Sequence, residues 1–402
     1  MTECKTTGLV VGGGPAGMML GYLLARSGVQ TILLEKHGDF LRDFRGDTVH
    51  PSTTELMHEL GILDEFLRDV PHQAMDQLGI GVGGRAFDLI DFRHLPTACK
   101  YVVLAPQWDF LNFIAAKAKR YPSFRLAMNT EATGLLWEND RVVGVTAHNA
   151  SGPLEIRADV TLACDGRWSV IREHSGLPVR DFPMPIDVLW FRLPRSDSAP
   201  ETLGYIGGGQ IVIAIDRGDY WQCGAIIDKG GFEAVQADGL PEFRSRIASA
   251  APFLTNSLDS LTDWDQVKPL SVRANRMRKW WLPGLLCIGD AAHAMSPVGG
   301  IGVNYAIADA VAAANALAGP LQRGQLTDDD LRAVQKRRQP PTKVAQMLQR
   351  AQTTNLARLR NTQPPLWTLR LLSHLGPVKR LLGRTVGLGL RREHVRTVAV
   401  TD

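Results

Sequence analysis

The first forty residues contain the pattern that most constrains how this chain can fold. A short apolar run, Gly8-Leu-Val-Val11, precedes Gly12-Gly-Gly14-Pro-Ala-Gly17, and a segment with one apolar face then extends to Arg26. A second apolar run begins at Thr31 and ends in the acid Glu35. Strand, GxGxxG, helix, strand and acid in this order are typical of a dinucleotide-binding βαβ unit. The sequence therefore predicts an α/β fold with a dinucleotide site near its N-terminus.

Each residue type in this unit has a physical role. The first glycine permits a tight turn, the second lets the backbone approach a pyrophosphate, and the third lets the helix lie close to the strand. The free amides and the dipole of the helix N-terminus face the phosphates. A carboxylate at position 35 can accept hydrogen bonds from both ribose hydroxyls and would repel a 2′-phosphate, which favours FAD or NAD over NADP. The predicted contacts are Gly12, Gly14, Pro15, Ala16, Gly17, Glu35 and Lys36.

A second GxGxxG sequence, Gly79-Ile-Gly-Val-Gly-Gly84, lacks the context of the first. The residues that follow, Arg85 to Phe92, alternate as a strand does and predict no helix. We interpret this segment as a glycine-rich turn between strands. The chain therefore has one predicted dinucleotide-binding unit.

Length and composition limit the class of protein. A chain of 402 residues exceeds the size at which one core usually stops growing, so two packed domains are expected. A net charge of +4 gives no reason to expect a nucleic-acid partner, and five scattered cysteines predict neither a disulfide framework nor a metal site. We identify no signal leader and no apolar run of the roughly 18 residues that a membrane span needs. A soluble, cytoplasmic protein is expected.

The charge is unevenly distributed. From Pro320 onwards there are 16 Lys and Arg against five Asp and Glu, whereas residues 1–319 carry about −7. Such a tail can lie on an acidic surface of its own protein, on nucleic acid or on anionic lipid. We favour a solvated helical tail packed on its own domain, broken at Pro340-Pro341, Pro364-Pro365 and Pro377. The apolar and basic residues of Leu369–Leu390 leave a homodimer surface or a membrane-surface contact open.

Two later motifs each follow a predicted strand. The strand at Arg157–Cys164 continues into Asp165-Gly-Arg-Trp-Ser-Val-Ile-Arg172. The strand at Trp281–Ile288 continues into Gly289-Asp-Ala-Ala-His293 and then Pro297-Val-Gly-Gly-Ile-Gly-Val-Asn304, before an alanine-rich helix that contains Asp309. Together with the N-terminal unit, these motifs resemble the flavoprotein monooxygenases typified by p-hydroxybenzoate hydroxylase, from about residue 6 to about residue 320.

The chemistry of these residues agrees with flavin binding. Asp290 follows a buried strand and a glycine, so its carboxylate can reach a ribityl hydroxyl. Amides at the helix start near Asn304 can stabilise negative charge on the N1–C2=O edge of a reduced flavin. Asp165 and Arg172 remain open between a cofactor role and an ordinary turn with a surface ion pair. Many relatives have Gln where this chain has Ile301, which puts that side chain's contact in doubt but not the backbone role.

The resemblance implies further contacts. The segment Arg45–Pro51 is similar to the family's arginine loop along the flavin, and Gln107 is similar to a glutamine near the ribityl chain. Arg45, Pro297 and Gly300 are expected to position flavin and substrate for catalysis. The cofactor contacts expected outside the N-terminal unit are Arg45, Gln107, Asp165, Gly289, Asp290, Pro297, Gly300, Ile301, Gly302, Val303 and Asn304.

The segment from Phe182 to Val272 is predicted to be rich in strands. The resemblance implies an antiparallel sheet above the flavin, joined by strands from about residues 75–100. The apolar residues that could line a substrate pocket there are Trp190, Phe191, Tyr205, Trp221 and Met295, although aromatic residues in strands are more often plain core. His293 is expected to orient its loop through a backbone bond, and His50 is a candidate for a catalytic role near the flavin.

We therefore expect an α/β (α+β) protein with a discontinuous Rossmann-like FAD-binding domain (1–75, 100–180 and 273–321). A β substrate domain (76–99 and 181–272) and a C-terminal helical region (322–402), too short for the thioredoxin-like domain of many relatives, complete it. The resemblance implies non-covalent FAD, NADH or NADPH as a transient reductant, and hydroxylation of a phenolic or polycyclic substrate by O2 through a flavin C4a-hydroperoxide. Epoxidation, Baeyer–Villiger insertion or reduction on the same fold, and a non-catalytic FAD-binding protein, remain alternatives.

Overall fold

The computed structural model describes residues 2–41, 48–195, 202–362 and 365–400. Its strands are β1 (Thr2–Val11), β2 (Thr31–Leu34), β3 (Thr48–Val49), β4 (Gln73–Met75), β5 (Gln77–Val82), β6 (Arg85–Asp91), β7 (Val102–Leu104), β8 (Phe124–Ala127), β9 (Glu131–Glu138), β10 (Arg141–Asn149), β11 (Gly152–Ala163), β12 (Val179–Phe182), β13 (Ile186–Pro194), β14 (Gly204–Gly207), β15 (Gln210–Asp216), β16 (Tyr220–Asp228), β17 (Lys268–Leu270), β18 (Ala274–Met277), β19 (Trp281–Leu282) and β20 (Leu285–Cys287).

The α-helices are α1 (Pro15–Arg26), α2 (Pro51–Glu59), α3 (Leu63–Asp69), α4 (Gln107–Ala118), α5 (Val170–His174), α6 (Phe232–Asp238), α7 (Leu240–Ala250), α8 (Asp290–His293), α9 (Ile301–Gln322), α10 (Asp328–Asn361), α11 (Leu366–His374) and α12 (Gly376–Leu388). Short 3-10 segments occur at 252–260, 264–266 and 298–300.

The first sheet has the order β19-β20-β11-β1-β2-β8, and β9 and β10 extend it from β11. Strands β20, β11, β1, β2 and β8 run parallel to one another, whereas β19 and β10 are antiparallel to β20 and β11. The apolar runs of β1 and β2 are fully buried at Leu9, Val10 and Leu33 because helices cover both faces of a parallel sheet. Parallel strands bring the glycine motifs after β1 and β20 and the Asp-Gly motif after β11 to one edge of this sheet.

The second sheet has the order β17-β13-β16-β15-β14-β5-β6. Strands β5 and β6, distant in sequence, join it through the parallel pair of β14 with β5. The Gly79–Gly84 segment lies in β5 and in the turn at Gly83-Gly84 that follows it. No helix directly follows this second GxGxxG sequence, in agreement with the prediction of a glycine-rich turn between strands. Alternation then assigns Ile211, Ile213 and Ile215 of β15 to one face and Val212 and Ala214 to the other.

These two faces have different neighbours. The face with Val212 packs against α7 and the following 3-10 segment through Phe243, Ile247 and Leu254. The face with Ile211 packs against Val298, in the glycine-rich loop before α9, and against the C-terminal helices. The second sheet thus lies over that loop, as the resemblance implied.

Helix α10 corrects one sequence expectation. Pro340 and Pro341 were predicted to break the chain, but the helix continues through both of them for 34 residues. The backbone hydrogen bonds lost at the prolines are compensated by tertiary contacts, since Arg338, Thr342 and Ala345 on this stretch are buried.

Helix α9 corrects another. The stretch Val298–Gln322 is long and apolar enough to cross a membrane by length and composition, which differs from the expectation that the chain has no such run. Its small side chains raise the hydropathy and also let it pack closely against α1 and α10. Of its most apolar window, 67% is buried inside the protein, as in the core helix of a globular fold.

Candidate functional site

The loop between β1 and α1 is built for the approach of a ligand. Gly12 has φ 102°, and a Cβ there would lie 2.6 Å from the carbonyl oxygen of Cys164. A Cβ on Gly17 would lie 1.9 Å from the oxygen of Gly12, so helix and loop are in backbone contact. A Cβ on Gly14 would have no atom within 4 Å. The space beside Gly14 is open, and α1, which begins at Pro15 after the N-cap Gly14, has no side-chain cap on its first amides.

The acid at the end of β2 shapes this loop. Glu35 is 7% exposed, and its Oε2 accepts a hydrogen bond of 3.0 Å from the amide of Gly13. Its Oε1 accepts one of 3.0 Å from the amide of His37. Carboxylate oxygens are the kind of acceptor that ribose hydroxyl groups require. Lys36 is exposed and lies 4.0 Å from Glu131.

The Asp-Gly and Gly-Asp motifs are joined by arginines. The Asp165 carboxylate accepts hydrogen bonds from Ser169 Oγ (2.5 Å) and from the amide of Ile171. Burial raises the pKa of Asp165 despite these bonds. Arg172 donates to the carbonyl of Ala291 at 2.9 Å. Within the part of the chain that the structure describes, Arg172 therefore does not form a surface ion pair. Asp165 and Arg172 both hold the backbone at the edge of the first sheet, and a direct contact of either residue with the cofactor stays a prediction.

Asp290 and its neighbour form the next part of that edge. Gly289 has φ 59°, and its amide donates to Asp309 Oδ2 at 3.0 Å. The Asp290 side chain, 31% exposed, lies 3.8 Å from Arg167. Its carboxylate therefore remains accessible to a ligand hydroxyl.

The glycine-rich loop before α9 presents an uncapped helix start. Gly300 has φ 61°, and a Cβ there would lie 2.5 Å from Thr48 Oγ1. Helix α9 begins at Ile301 with no side-chain cap and no acid in its first turn. The first amides of a helix, here those of Ile301, Gly302 and Val303, lack intrahelical partners and can bind negative charge.

Asn304 ties this loop to the chain before α2. Its Oδ1 accepts from the amide of His50 and from Thr53 Oγ1, and its Nδ2 donates to the carbonyls of Thr48 and Gly300. Both polar atoms of the Asn304 side chain therefore form hydrogen bonds within the protein. A contact of Asn304 with the cofactor would have to come from its backbone. Arg45 of the arginine loop lies outside the described residues. Gln107 is the first residue of α4.

His50 lies buried between this loop and the C-terminal region. Its Nδ1 lies 2.8 Å from the carbonyl of Val386, while Nε2 has no hydrogen-bond partner. Burial lowers its pKa, partly offset by the carbonyls of Val386 and Gly299. A cavity of about 30 Å³, enough for one or two water molecules, opens beside it and extends to Tyr305 and Arg338.

His293 differs from the expectation of a backbone bond. Its Nε2 lies 2.5 Å from Asp309 Oδ2, and the second oxygen of Asp309 accepts a bond of 2.8 Å from Arg338 Nε. Arg338 in turn contacts Glu393, which also binds Arg337. The expected backbone carbonyl would only orient the ring of His293. The Asp309 carboxylate instead connects α8, α9 and α10, and through Arg338 it also connects them to the C-terminal segment.

The structure does not bring the proposed substrate residues together. Phe191, Tyr205 and Trp221 lie on the outer face of the second sheet, against α7, and do not face the glycine-rich loop. This position does not support their prediction as pocket residues, because strand alternation directs their side chains towards α7. Trp190 lies on the inner face beside Gly224. Met295 packs against Ile301 and Tyr305.

Sequence reasoning missed other residues of the site. Arg338 and Glu393 lie in the basic tail, where nothing in the sequence distinguishes them from surface charges. Arg217, in the turn after β15, donates to Gln222 of β16 at 3.0 Å and to the carbonyl of Leu104 at 3.2 Å. Period-two alternation predicts that the side chains of Gln222 and Trp221 point to opposite faces of the second sheet. It does not predict that the face with Gln222 is the one next to the FAD-binding domain.

Taken together, the observed cradle fits FAD. The open space at Gly14, the uncapped starts of α1 and α9 and the carboxylates of Glu35 and Asp290 lie along one edge of the first sheet. An extended dinucleotide needs donors for its phosphates and acceptors for its hydroxyls, and this edge supplies both.

Comparison with known proteins agrees with this geometry. The family described as FAD binding domain matches residues 5–351. The chain is 33% identical to 6-methylpretetramide 4-monooxygenase of Streptomyces rimosus, over 85% of this chain and 82% of that one. It is 28% identical to dialkyldecalin synthase of Streptomyces rugosporus, over 95% and 77%. The solved structure of p-nitrophenol 4-monooxygenase from Pseudomonas putida superposes with a TM-score of 0.79 at 20% identity, over 99% and 100%.

Proposed function

Because the chain belongs to the FAD binding domain family and is a flavoprotein monooxygenase, we propose that it hydroxylates a phenolic ring of a polycyclic substrate. The observation that carries this proposal is the likeness to 6-methylpretetramide 4-monooxygenase over most of both chains. Compounds related to 6-methylpretetramide are therefore the first substrate class to test.

The site residues support this proposal by position. Bound FAD would supply the reaction of a reduced flavin with oxygen, and NADH or NADPH would supply the electrons. The amides of Ile301, Gly302 and Val303 would stabilise the negative charge of the reduced ring. Pro297 and Gly300 shape the loop, and Arg45 is proposed to lie along the flavin.

The inner face of the second sheet would orient the substrate and exclude water. Ile211 and Val298 pack across the junction between sheet and loop. Trp190 and Met295 are the retained candidates for apolar contacts, and Arg217 with Gln222 offers polar groups on the same face. Orientation and dryness are the protein's main contributions in such a reaction, since no side chain need act as a nucleophile.

A second candidate function is a ring-forming reaction without net oxidation. It is favoured by one observation, the likeness to dialkyldecalin synthase over 95% of this chain. Such an enzyme would bind FAD but would not couple NAD(P)H consumption to a substrate. The same assay therefore separates the two functions.

The first experiment is the visible spectrum of the purified protein, followed by anaerobic reduction with NADH and NADPH. Reduction is measured with and without a panel of phenols that includes polycyclic ones. We expect a yellow protein whose reduction accelerates with a polycyclic phenol, and an oxygenated product by mass spectrometry. A yellow protein that neither nucleotide reduces with any compound would contradict the hydroxylase.

Assembly and location are also proposals. Trp367, Leu371 and Leu381 are 69%, 54% and 64% exposed on α11 and α12, and Arg370 and Arg380 stand among them. We propose a homodimer through this surface, in which like charges meet across a two-fold axis. Salt should then strengthen the dimer, which light scattering at low and high ionic strength would measure. The five free cysteines agree with a cytoplasmic location.

A further inference from the structure

Three arginines converge on the ring of Phe182. The guanidinium carbons of Arg180, Arg276 and Arg350 lie 5.4, 5.2 and 4.9 Å from the centre of that ring. Arg180 comes from β12, Arg276 from β18 and Arg350 from α10. Three distant parts of the chain therefore bring positive charge to one point.

The strand register makes this arrangement unfavourable by itself. Arg180 and Arg276 are direct partners in the antiparallel pair of β12 with β18, so their side chains emerge on one face. Like charges directly opposite each other destabilise a sheet. Burial lowers the pKa of Arg276, and Arg180 and Arg350 lower it further.

Among the residues that the structure describes, no carboxylate forms an ion pair with these arginines. Within the described ranges, no Asp or Glu oxygen lies within 4 Å of these three guanidinium groups, whereas Arg273, just before β18, lies 3.7 Å from Asp181. The sequence from 331 to 392 contains no acidic residue at all. The cluster thus keeps an uncompensated positive charge, which an anionic ligand would neutralise.

The arginine at the centre is held in place. Arg276 donates to Gln346 Oε1 at 2.9 Å. Gln346 is 2% exposed, and its Nε2 donates to the carbonyls of Asn275 and Ala294. Stacking on Phe182 and this buried amide fix the guanidinium before any ligand arrives, which lowers the entropy cost of binding.

We propose that Arg180, Arg276 and Arg350 form a binding site for a phosphate group. Several guanidinium groups around one point match the multiple oxygens and double charge of a phosphate better than a single carboxylate. Ala294, which shares Gln346 with the cluster, leads into the loop before α9, so the ligand would lie beside the flavin site. The phosphate could belong to the pyridine nucleotide, a source that rests on the proposed function, or to a phosphate ester on the substrate.

The first test measures binding of inorganic pyrophosphate to the FAD-loaded protein by calorimetry at low ionic strength. The variants are Arg180→Gln, Arg276→Gln and Arg350→Gln, with Arg358→Gln, an exposed arginine on the same helix α10, as the matched control. Each cluster variant should raise the Kd about tenfold, as loss of a charge-assisted contact does, and the control should leave it unchanged. Equal binding by wild type and all variants, or no binding by wild type, would overturn the site.

The second test identifies the source of the phosphate by anaerobic titration with NADPH and NADH. A higher Kd for NADPH alone in the cluster variants assigns the 2′-phosphate, and a higher Kd for both assigns the pyrophosphate. Unchanged values with weakened pyrophosphate binding assign a phosphate on the substrate. Flavin content, read from the spectrum, reports separately on the proposed function.

The unfolding temperature of Arg180→Gln distinguishes a ligand site from a purely structural role of Arg180. If Arg180 served only to stack on Phe182, Arg180→Gln would lower the unfolding temperature. A ligand site predicts an equal or higher unfolding temperature, because one of three like charges is removed.

Discussion

The carboxylate of Asp309 lies 2.5 Å from Nε2 of His293, and both side chains are buried to within 1% of full burial. Asp309 also accepts from the amide of Gly289 and from Arg338. One carboxylate on α9 thus holds the turn that carries Asp290 and connects it to α10. The flavin edge of the first sheet therefore depends on a charge network that lies behind it.

Asp309→Asn should destabilise the protein and release FAD. The amide has one acceptor oxygen where the carboxylate has two, so His293, Gly289 or Arg338 loses its partner in a buried site. Removing one member of a buried ion pair costs about 3–5 kcal/mol. Chemical unfolding and flavin content measure both effects. Asp329→Asn, on the surface of α10, is the control, and an Asp309→Asn protein with wild-type stability would contradict the role of the network.

The same group predicts a pH dependence. Burial alone would raise the pKa of Asp309, but His293 and Arg338 hold it below its ordinary value. A depressed carboxyl pKa contributes stability above the unfolded value, about 3.9, that is lost as pH falls through the folded value. The difference in unfolding free energy between wild type and Asp309→Asn should be constant near neutrality and shrink below about pH 4. A difference that grows in acid would refute this assignment.

His50 predicts a loss of stability at higher pH than Asp309 does. Burial lowers its pKa from the ordinary 6.5, so the unfolded chain takes up a proton before the folded protein does. Folding stability should therefore fall as pH decreases from 6.5 towards the folded pKa. His50→Gln should show a smaller decline over this range when unfolding is measured at several pH values. His374→Gln, which replaces an exposed histidine, serves as control; an unchanged slope in His50→Gln would argue against the buried neutral ring.

Two glycines of α1 and its loop should respond differently to the same substitution. Gly14→Ala adds a methyl group where no atom lies within 4 Å, at an ordinary φ of −72°. The apoprotein should keep its unfolding temperature, but FAD should bind more weakly because the methyl group occupies the approach of the pyrophosphate. Gly17→Ala places the methyl group 1.9 Å from a backbone oxygen and should prevent folding. Normal FAD affinity in Gly14→Ala would remove the phosphate site from this loop.

Glu35→Gln tests the shape of the same loop. Both carboxylate oxygens accept from backbone amides, so the amide group of Gln must point its own N–H groups at one of these donors. We expect the Kd for FAD to rise about tenfold or more, the equivalent of roughly 1.4 kcal/mol. Fluorescence titration of the apoprotein measures this, and Glu233→Gln on the exposed helix α6 is the control. A variant that binds FAD as wild type does would show that these bonds are dispensable.

The local pattern determined much of the fold. The unit from Gly8 to Glu35 was predictable because strand periodicity, helix periodicity and the glycine spacing all act within a few residues of one another. The strands at 186–193, 210–215 and 220–227 were predictable for the same reason. The motifs at Asp165 and Gly289 then indicated the family, and with it FAD.

Tertiary structure alone decided how distant groups meet. Asp309 and Arg338 are 29 residues apart, and Arg338 and Glu393 are 55 apart, so no local preference records their contact. Alternation along a strand defines two faces of the second sheet but not which face is towards the FAD-binding domain. The packing of Trp221 against α7 shows which face is the outer one. The meeting of Arg180 with Arg276 likewise depends on strand register, which long-range packing sets.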